Sequence, residues 1–177
     1  MATFICFLRG VNVGGKGKVP MAELKTVLAD LGFENVKTVL QSGNVVFTAA
    51  GKPQGKTIEA AIETAFQFRP DVHLLTPAQL RKIVGDNPYK EAAMKDPGHM
   101  VTFILPGKPL ASAKAKLEAV ATTDETFTLR PNIVYAHFGQ GMGRSKLAAA
   151  MDRALGVRGT ARNWNTLTRV LELAEAL

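Results

Sequence analysis

The sequence is poor in cysteine and in acidic residues. Its 177 residues include a single cysteine, Cys6, so no disulfide can form within the chain and a zinc site built from several cysteines is excluded. Lys and Arg number 22 against 15 Asp and Glu, which gives a formal net charge of +7. This balance favours anionic partners such as nucleic acid, phosphorylated metabolites or an acidic protein, and it is equally compatible with a basic surface that serves solubility alone.

Long hydrophobic runs are also absent. No apolar stretch approaches the ~20 residues that span a bilayer, and no charged segment followed by an apolar one opens the chain. We therefore expect neither a membrane protein nor a signal peptide. The lone cysteine fits a reducing compartment, so we expect a cytoplasmic protein.

Common catalytic motifs are missing as well. The three histidines, His73, His99 and His137, are far apart in the sequence, and neither His-Glu-x-x-His nor Gly-x-Ser-x-Gly occurs. Core or surface roles are more typical of such isolated histidines than metal ligation. We expect no metal site and no cofactor, and the sequence identifies no catalytic residue.

The first half of the chain has the pattern of a small α+β unit. An apolar run at 3–8 is typical of a central strand, and helical spacing of apolar residues follows from Pro20. Two short strands across a Gln-Ser-Gly-Asn turn predict a hairpin, which is followed by a helix and another strand. Residues 76–79 have the form of a capping box ahead of a further helix. The resulting βαββαβ order is that of a ferredoxin-like plait.

The second half repeats the order strand, helix, hairpin, helix and ends in another helix. A polar, proline-bearing stretch at 86–99 is the best candidate for a boundary. We predict an N-terminal ferredoxin-like domain at 1–87 and a C-terminal α+β domain at 88–177. The fold class is therefore α+β with two plait-like lobes, and the shared order suggests a topological duplication.

A basic, glycine-rich stretch at 9–18 joins the first strand to the first helix. It holds three cations, four glycines and no acid. A true phosphate-binding loop needs a hydroxyl directly after Lys16 and a helix that begins at once, whereas Gly17 follows here and the helix waits for Pro20. We expect an anion-contacting loop, and the alternative is a mobile connector with solvated lysines. The contacts of the first interpretation are Arg9, Asn12, Lys16 and Lys18.

Two further stretches have similar chemistry. In 143–146, Ser145 is placed to cap a helix, and an anion at that helix end would meet Arg144 and Lys146. In 162–166, Asn163 or Asn165 can cap the last helix while Trp164 anchors it to the core; in the functional interpretation, Arg162 and an asparagine amide face a ligand.

The turn between the two predicted hairpin strands is a third polar group. Gln41, Ser42 and Asn44 provide three amide or hydroxyl side chains within four residues. They are a turn sequence in the plainer interpretation and ligand contacts in the functional one.

Several motifs together resemble the bacterial domain-of-unknown-function family 1697. They are Leu8–Gly15, Gln41–Phe47, Asn87–Tyr89, Gly143–Leu147 and Thr160–Thr166. The resemblance covers nearly the whole chain in order. It implies a cytoplasmic, two-lobed α+β protein built from plait-like units, and it implies no particular substrate, cofactor or reaction.

The leading hypothesis is a non-enzymatic module that binds nucleic acid or a phosphorylated ligand through these basic loops. A second is an enzyme acting on a phosphorylated small molecule, with Ser42, Asn44, Ser145 and Asn165 as orienting groups. That hypothesis lacks a general base, because the motifs contain no acid or histidine and only Glu23 and Asp152 lie on adjacent predicted helices. A third is a protein-interaction or oligomerisation module.

Overall fold

The protein, seen in a computed structural model that describes residues 1–15 and 17–177, forms two four-stranded antiparallel sheets. The strands are β1 Ala2–Arg9, β2 Glu34–Val39, β3 Asn44–Ala49, β4 Asp71–Leu75, β5 Met100–Ile104, β6 Glu125–Leu129, β7 Ile133–Phe138 and β8 Thr160–Asn163. The helices are α1 Met21–Asp30, α2 Gly55–Phe66, α3 Pro77–Gly85, α4 Lys90–Lys95, α5 Ala113–Glu118, α6 Lys146–Leu155 and α7 Trp164–Glu175.

The first sheet has the strand order β2-β3-β1-β4, which is that of a ferredoxin-like plait. β1 is central and pairs antiparallel with both β3 and β4. Its residues from Ile5 to Leu8 are almost completely buried, which explains why the strand reads as a continuous apolar run. Cys6 is a fully buried part of this core.

The second sheet repeats the arrangement with the order β6-β7-β5-β8. Each of its strands occupies the position that its counterpart holds in the first sheet, so β5 is central as β1 is. The predicted fold class, α+β with two plait-like lobes and a topological duplication, is confirmed.

Two compact units make up the chain: residues 1–82 with 168–177, and residues 83–167. We refer to them as the first and the second unit and describe each by itself. The domain division at 87/88, with the terminal helix assigned to the C-terminal domain, stays a prediction. No helix in the described ranges, 1–15 and 17–177, has both the length and the apolar character needed to cross a bilayer.

The helix starts show which local sequence signals were sufficient to predict where a helix begins. The predicted capping box is present, because the Thr76 amide donates to Gln79 Oε1 at 2.8 Å and the Gln79 amide donates to Thr76 Oγ1 at 3.2 Å. The first helix begins one residue later than predicted, at Met21, with Pro20 preceding it in extended conformation. Without an amide hydrogen, Pro20 fits this position as well as the first helical one.

Candidate functional site

In the first unit, the side chain of Asn12 fastens the glycine-rich loop to the hairpin turn. Its Nδ2 donates to the carbonyl of Gln41 at 2.7 Å and to the carbonyl of Val19 at 2.9 Å, and its Oδ1 accepts from the Val19 amide at 2.9 Å. We call this arrangement the Asn12 clasp. Val19 directly follows the loop, so its bonds with Asn12 join the two ends of the loop. The bond to Gln41 joins the loop to the turn.

Strand register explains why the two segments meet. β1 and β3 are antiparallel and Phe7 pairs with Asn44, so the end of β1 lies beside the start of β3. The Leu8 amide donates to the Gly43 carbonyl at 2.8 Å and continues this pairing into the turn. The described residues of the loop and of the turn that the sequence predicted are therefore brought to one end of the first sheet.

The turn is held by its own asparagine. Asn44 is fully buried, and its Nδ2 donates to the Val39 carbonyl at 2.8 Å and to Ser42 Oγ at 3.0 Å. Gly43 has a φ of +73°, and a Cβ there would lie 2.7 Å from the Cβ of Leu8. The turn therefore needs glycine at this position, because a side chain would collide with β1.

The loop presents charge and open backbone. Lys18 is exposed and Arg9 is half-buried, whereas Lys16 lies outside the described residues. Gly14 and Gly15 have positive φ values, and a Cβ on either would meet nothing within 4 Å. Their backbone can therefore be approached closely by a ligand, as the anion-contact interpretation requires.

In the second unit, Ser145 caps α6, as its place in the sequence predicted. Its Oγ accepts from the Ala148 amide at 2.9 Å and donates to Glu125 Oε1. Partial burial raises the pKa of Glu125, but the hydrogen bonds from Ser145 and from Thr122 outweigh it and hold the pKa below its usual value. Arg144 and Lys146, on either side of the cap, are exposed.

Residues 162–166 continue from the short edge strand β8 into α7. Arg162 is 9% exposed, and its guanidinium donates to Thr160 Oγ1 at 2.8 Å and to the Ala161 carbonyl at 2.7 Å. Asn163 caps α7, because its Oδ1 accepts from the Thr166 amide at 3.0 Å. Asn165 is exposed on the first turn of this helix.

The register of the second sheet brings these two stretches to one end. β7 and β8 are both antiparallel to the central strand β5, and Val101 of β5 pairs with Ala136 on one side and with Asn163 on the other. Both neighbours of β5 therefore end beside its start, and the segments that follow them lie at that end.

The same end carries a cluster that the sequence did not predict. Asp96 Oδ2 is 2.9 Å from His137 Nε2 and 3.1 Å from His99 Nδ1, so one carboxylate oxygen contacts two imidazole rings. The hydrogen bond with His137, followed by that with His99, holds the pKa of Asp96 below its usual value. A cavity of about 430 Å³ lies against Asp96 and His137. We call these three residues the His–Asp–His cluster.

The cluster adjoins the predicted 143–146 stretch. A Cβ built on Gly141 would lie 3.3 Å from His99 Nε2, so the loop before α6 passes close to this nitrogen. The Phe138 amide donates to the His99 carbonyl at 3.1 Å, which ties the end of β7 to the same segment. The sequence held only a weak signal for this, since Asp96 and His99 are three residues apart but His137 reaches them through sheet pairing.

The described residues contain no group of three or more His, Cys, Asp or Glu side chains arranged to hold a metal ion. In the His–Asp–His cluster, one nitrogen of each imidazole, Nε2 of His137 and Nδ1 of His99, is engaged with the Asp96 carboxylate.

A family match covers residues 1–135 and carries the description "Protein of unknown function (DUF1697)". The chain belongs to this family. The resemblance seen in the sequence motifs is thereby confirmed, and the family's description gives no activity.

Structural comparison concerns the fold. The conserved bacterial protein SP0830 from Streptococcus pneumoniae is similar over 99% of both chains, with a TM-score of 0.66 and 22% sequence identity. At this identity the likeness concerns the fold alone. Among curated proteins, nothing matches this member of the family.

Proposed function

We propose that this protein is an anion-binding module that contacts nucleic acid or a phosphorylated ligand through the loop end of its first unit. The observation that carries the proposal is the Asn12 clasp, which ties the described part of a loop whose sequence has three cations and no acid to a polar turn. A basic loop that is held in place loses less conformational entropy on binding than a free one.

In this proposal, the predicted residues of the first unit have two roles. Asn12 and Asn44 position the loop and the turn, because their amide groups bond to backbone there. Lys18 is exposed and available to an anion, and Gln41 supplies an exposed side chain on the turn.

The second unit offers a further set of contacts in this proposal. Arg144 precedes the Ser145 cap and Lys146 is the first residue of α6, at the helix end where backbone amides and the helix dipole favour an anion. Ser145 and Asn163 hold the two helix starts, and Arg162 is a buried support for β8. Asn165 is the remaining predicted contact.

The test compares charge reversals with a matched control. Lys18→Glu removes a cation from the clasped loop, and Arg144→Glu/Lys146→Glu removes two from the second unit. Lys52→Glu makes the same change beyond Ala49, at the opposite end of the first sheet. We expect Lys18→Glu to weaken binding of labelled single-stranded RNA and to reduce the magnitude of its salt slope by about 0.7, the value for one phosphate contact, and the control to bind as wild type does. Equal weakening by the control would contradict a specific loop site.

A second candidate, an enzyme acting on a phosphorylated small molecule, is favoured by the His–Asp–His cluster. When His99 Nδ1 donates to Asp96, its Nε2 keeps a lone pair, and the ring is 47% exposed beside the loop before α6. This is the orientation of a histidine general base that a carboxylate positions. His99 would take a proton from a water molecule while the water oxygen forms a bond to phosphorus. The bond from phosphorus to the ester oxygen breaks, and solvent protonates the departing ester oxygen.

Phosphate release from a panel of phosphate monoesters, measured between pH 5 and pH 9, tests this candidate. Turnover that falls at least tenfold in His99→Gln and in Asp96→Asn, with both variants folded, would support it. No release from any ester, or release that the His99→Gln substitution leaves unchanged, would contradict it.

A further inference from the structure

A basic groove of about 540 Å³ lies in the first unit, apart from every residue that the sequence motifs identified. Helix α1, the edge strand β2 and the last turns of α7 form its walls. Its lining residues are Lys25, Lys37, Thr38, Val39, Arg169, Glu172, Leu173 and Ala176. We call this the basic groove.

Its three cations come from three separate elements and are not neutralised. Lys25 lies on α1, Lys37 on β2 and Arg169 on α7, and all three are exposed. Within the described ranges, none of these side chains makes a hydrogen bond or an ion pair. Unpaired cations that converge on one concavity raise the local positive potential and attract an anion.

A single lysine here would need no explanation. Lys37 alone could be a charge that protects an edge strand from pairing, and Lys25 alone could be a solvated helix residue. The convergence of both with Arg169 on one groove is the observation that such roles leave unexplained. The one acid, Glu172, forms no ion pair with any of the three, although it lies three residues from Arg169 on the same helix.

The floor of the groove is apolar. Val39 is 5% exposed and Leu173 is half-buried, and Ala176 continues this surface. A volume of about 540 Å³ falls within the ~300–1,000 Å³ typical of sites for small organic ligands. The groove therefore combines charge for a phosphate with an apolar surface for the rest of a ligand.

We propose that the basic groove binds a small phosphate ester of the nucleoside-monophosphate type. Lys25, Lys37 and Arg169 contact the phosphate. Glu172 accepts a hydrogen bond from a ligand hydroxyl, and the apolar floor supports the ligand's ring. This rests on the proposed anion-binding function and names the ligand class and a site for it in the same unit.

The groove is continuous in the chain with the clasped loop end. Val39 directly precedes the turn to which the Asn12 clasp is fastened, and Lys25 lies one turn into the helix that follows the loop. The groove and the clasped loop end are therefore adjacent in sequence on two elements of the first unit, β2 and α1.

Isothermal titration of the full-length protein with AMP and with inorganic phosphate tests the proposal. The groove variant is Lys37→Glu/Arg169→Glu, and the control is Lys52→Glu/Lys56→Glu, two exposed cations of the first unit that do not line the groove. The two variants have the same net charge. We expect the groove variant to bind AMP at least about a hundredfold more weakly than wild type, about tenfold for each contact, and the control to change little.

Glu172→Ala, which removes both acceptor oxygens, provides a readout that a general charge effect would not give. Losing the carboxylate weakens AMP binding, because Glu172 no longer accepts a hydrogen bond from a ribose hydroxyl. Inorganic phosphate has no ribose, so it binds as well as before or better. If general basicity were the cause, removing an acid would strengthen binding of both.

The outcomes separate this inference from the proposed function. If wild type binds AMP and the groove variant binds it equally well, or if wild type binds RNA but not AMP, the groove proposal is overturned while anion binding stands. If wild type binds neither AMP nor RNA at low salt, the proposed function fails and the groove proposal fails with it.

Discussion

Asn12 is the residue on which the geometry of the candidate site depends most. It adopts a φ of +54°, which asparagine tolerates better than most residues, and its amide makes three hydrogen bonds to backbone groups. Asn12→Ala removes all three and leaves alanine in a left-handed conformation. We expect the free energy of unfolding, measured with urea, to fall by about 1–3 kcal/mol, and anion binding to weaken.

Asn35 provides the matched control for this prediction. It has almost the same φ, +53°, and its amide makes one hydrogen bond, to Thr48 Oγ1 at 3.0 Å, away from the loop. Asn35→Ala should lower stability to a similar or smaller extent and leave anion binding unchanged. If both variants lost binding equally, the Asn12 clasp would have no specific part in forming the site.

The His–Asp–His cluster predicts an acid-dependent contribution to stability. The pKa of Asp96 in the folded state lies below its ordinary value of 3.8, mainly because of the hydrogen bond from His137. The charged carboxylate therefore stabilises the fold above the unfolded pKa, and this contribution is lost as the pH falls through the folded pKa. Urea unfolding of wild type should lose stability across this range, and Asp96→Asn should lose less. An identical pH dependence in both would contradict the assignment.

At the scale of elements, the helix caps are where local sequence is most informative. Ser145 makes a side-chain hydrogen bond to the α6 backbone, whereas Ser112, which precedes α5 in the same way, makes none. Ser145→Ala should therefore lower the free energy of unfolding by about 1 kcal/mol, and Ser112→Ala should change it by no more than a few tenths. Equal effects would show that the cap bond of Ser145 is unimportant.

Strand β8 is an element that the sequence did not predict. Its four residues, Thr160–Asn163, have no apolar alternation, and only the helix start that follows was predicted. The strand exists because its backbone pairs with β5, from Val101 to Ile104. Pairing of this kind is a long-range interaction that no local pattern records.

At the scale of the whole molecule, the order of the elements was sufficient to predict the duplicated fold. Apolar periodicity and turn residues identify two βαββ series, and antiparallel plait packing leaves few ways to arrange them. The sites were less predictable, because their residues are joined only by tertiary structure. Lys25, Lys37 and Arg169 of the basic groove belong to three elements, and none stands in a motif.

Neither the family nor the fold indicates an activity, so the two proposals rest on the side chains at the surface. The leading proposal attributes function to positive charge that the Asn12 clasp holds in place, and the alternative attributes it to a general base in the second unit. They differ in a measurable way, because only the first requires ligand affinity to depend strongly on salt.

Binding of labelled single-stranded RNA and duplex DNA to the wild-type protein across a salt series tests the central claim most directly. We expect measurable binding at low salt, with the logarithm of the association constant falling linearly with the logarithm of salt concentration, by about 0.7 for each RNA phosphate contacted. Binding that does not change with salt, or no binding to either polymer or to a phosphorylated small molecule at low salt, would contradict the account.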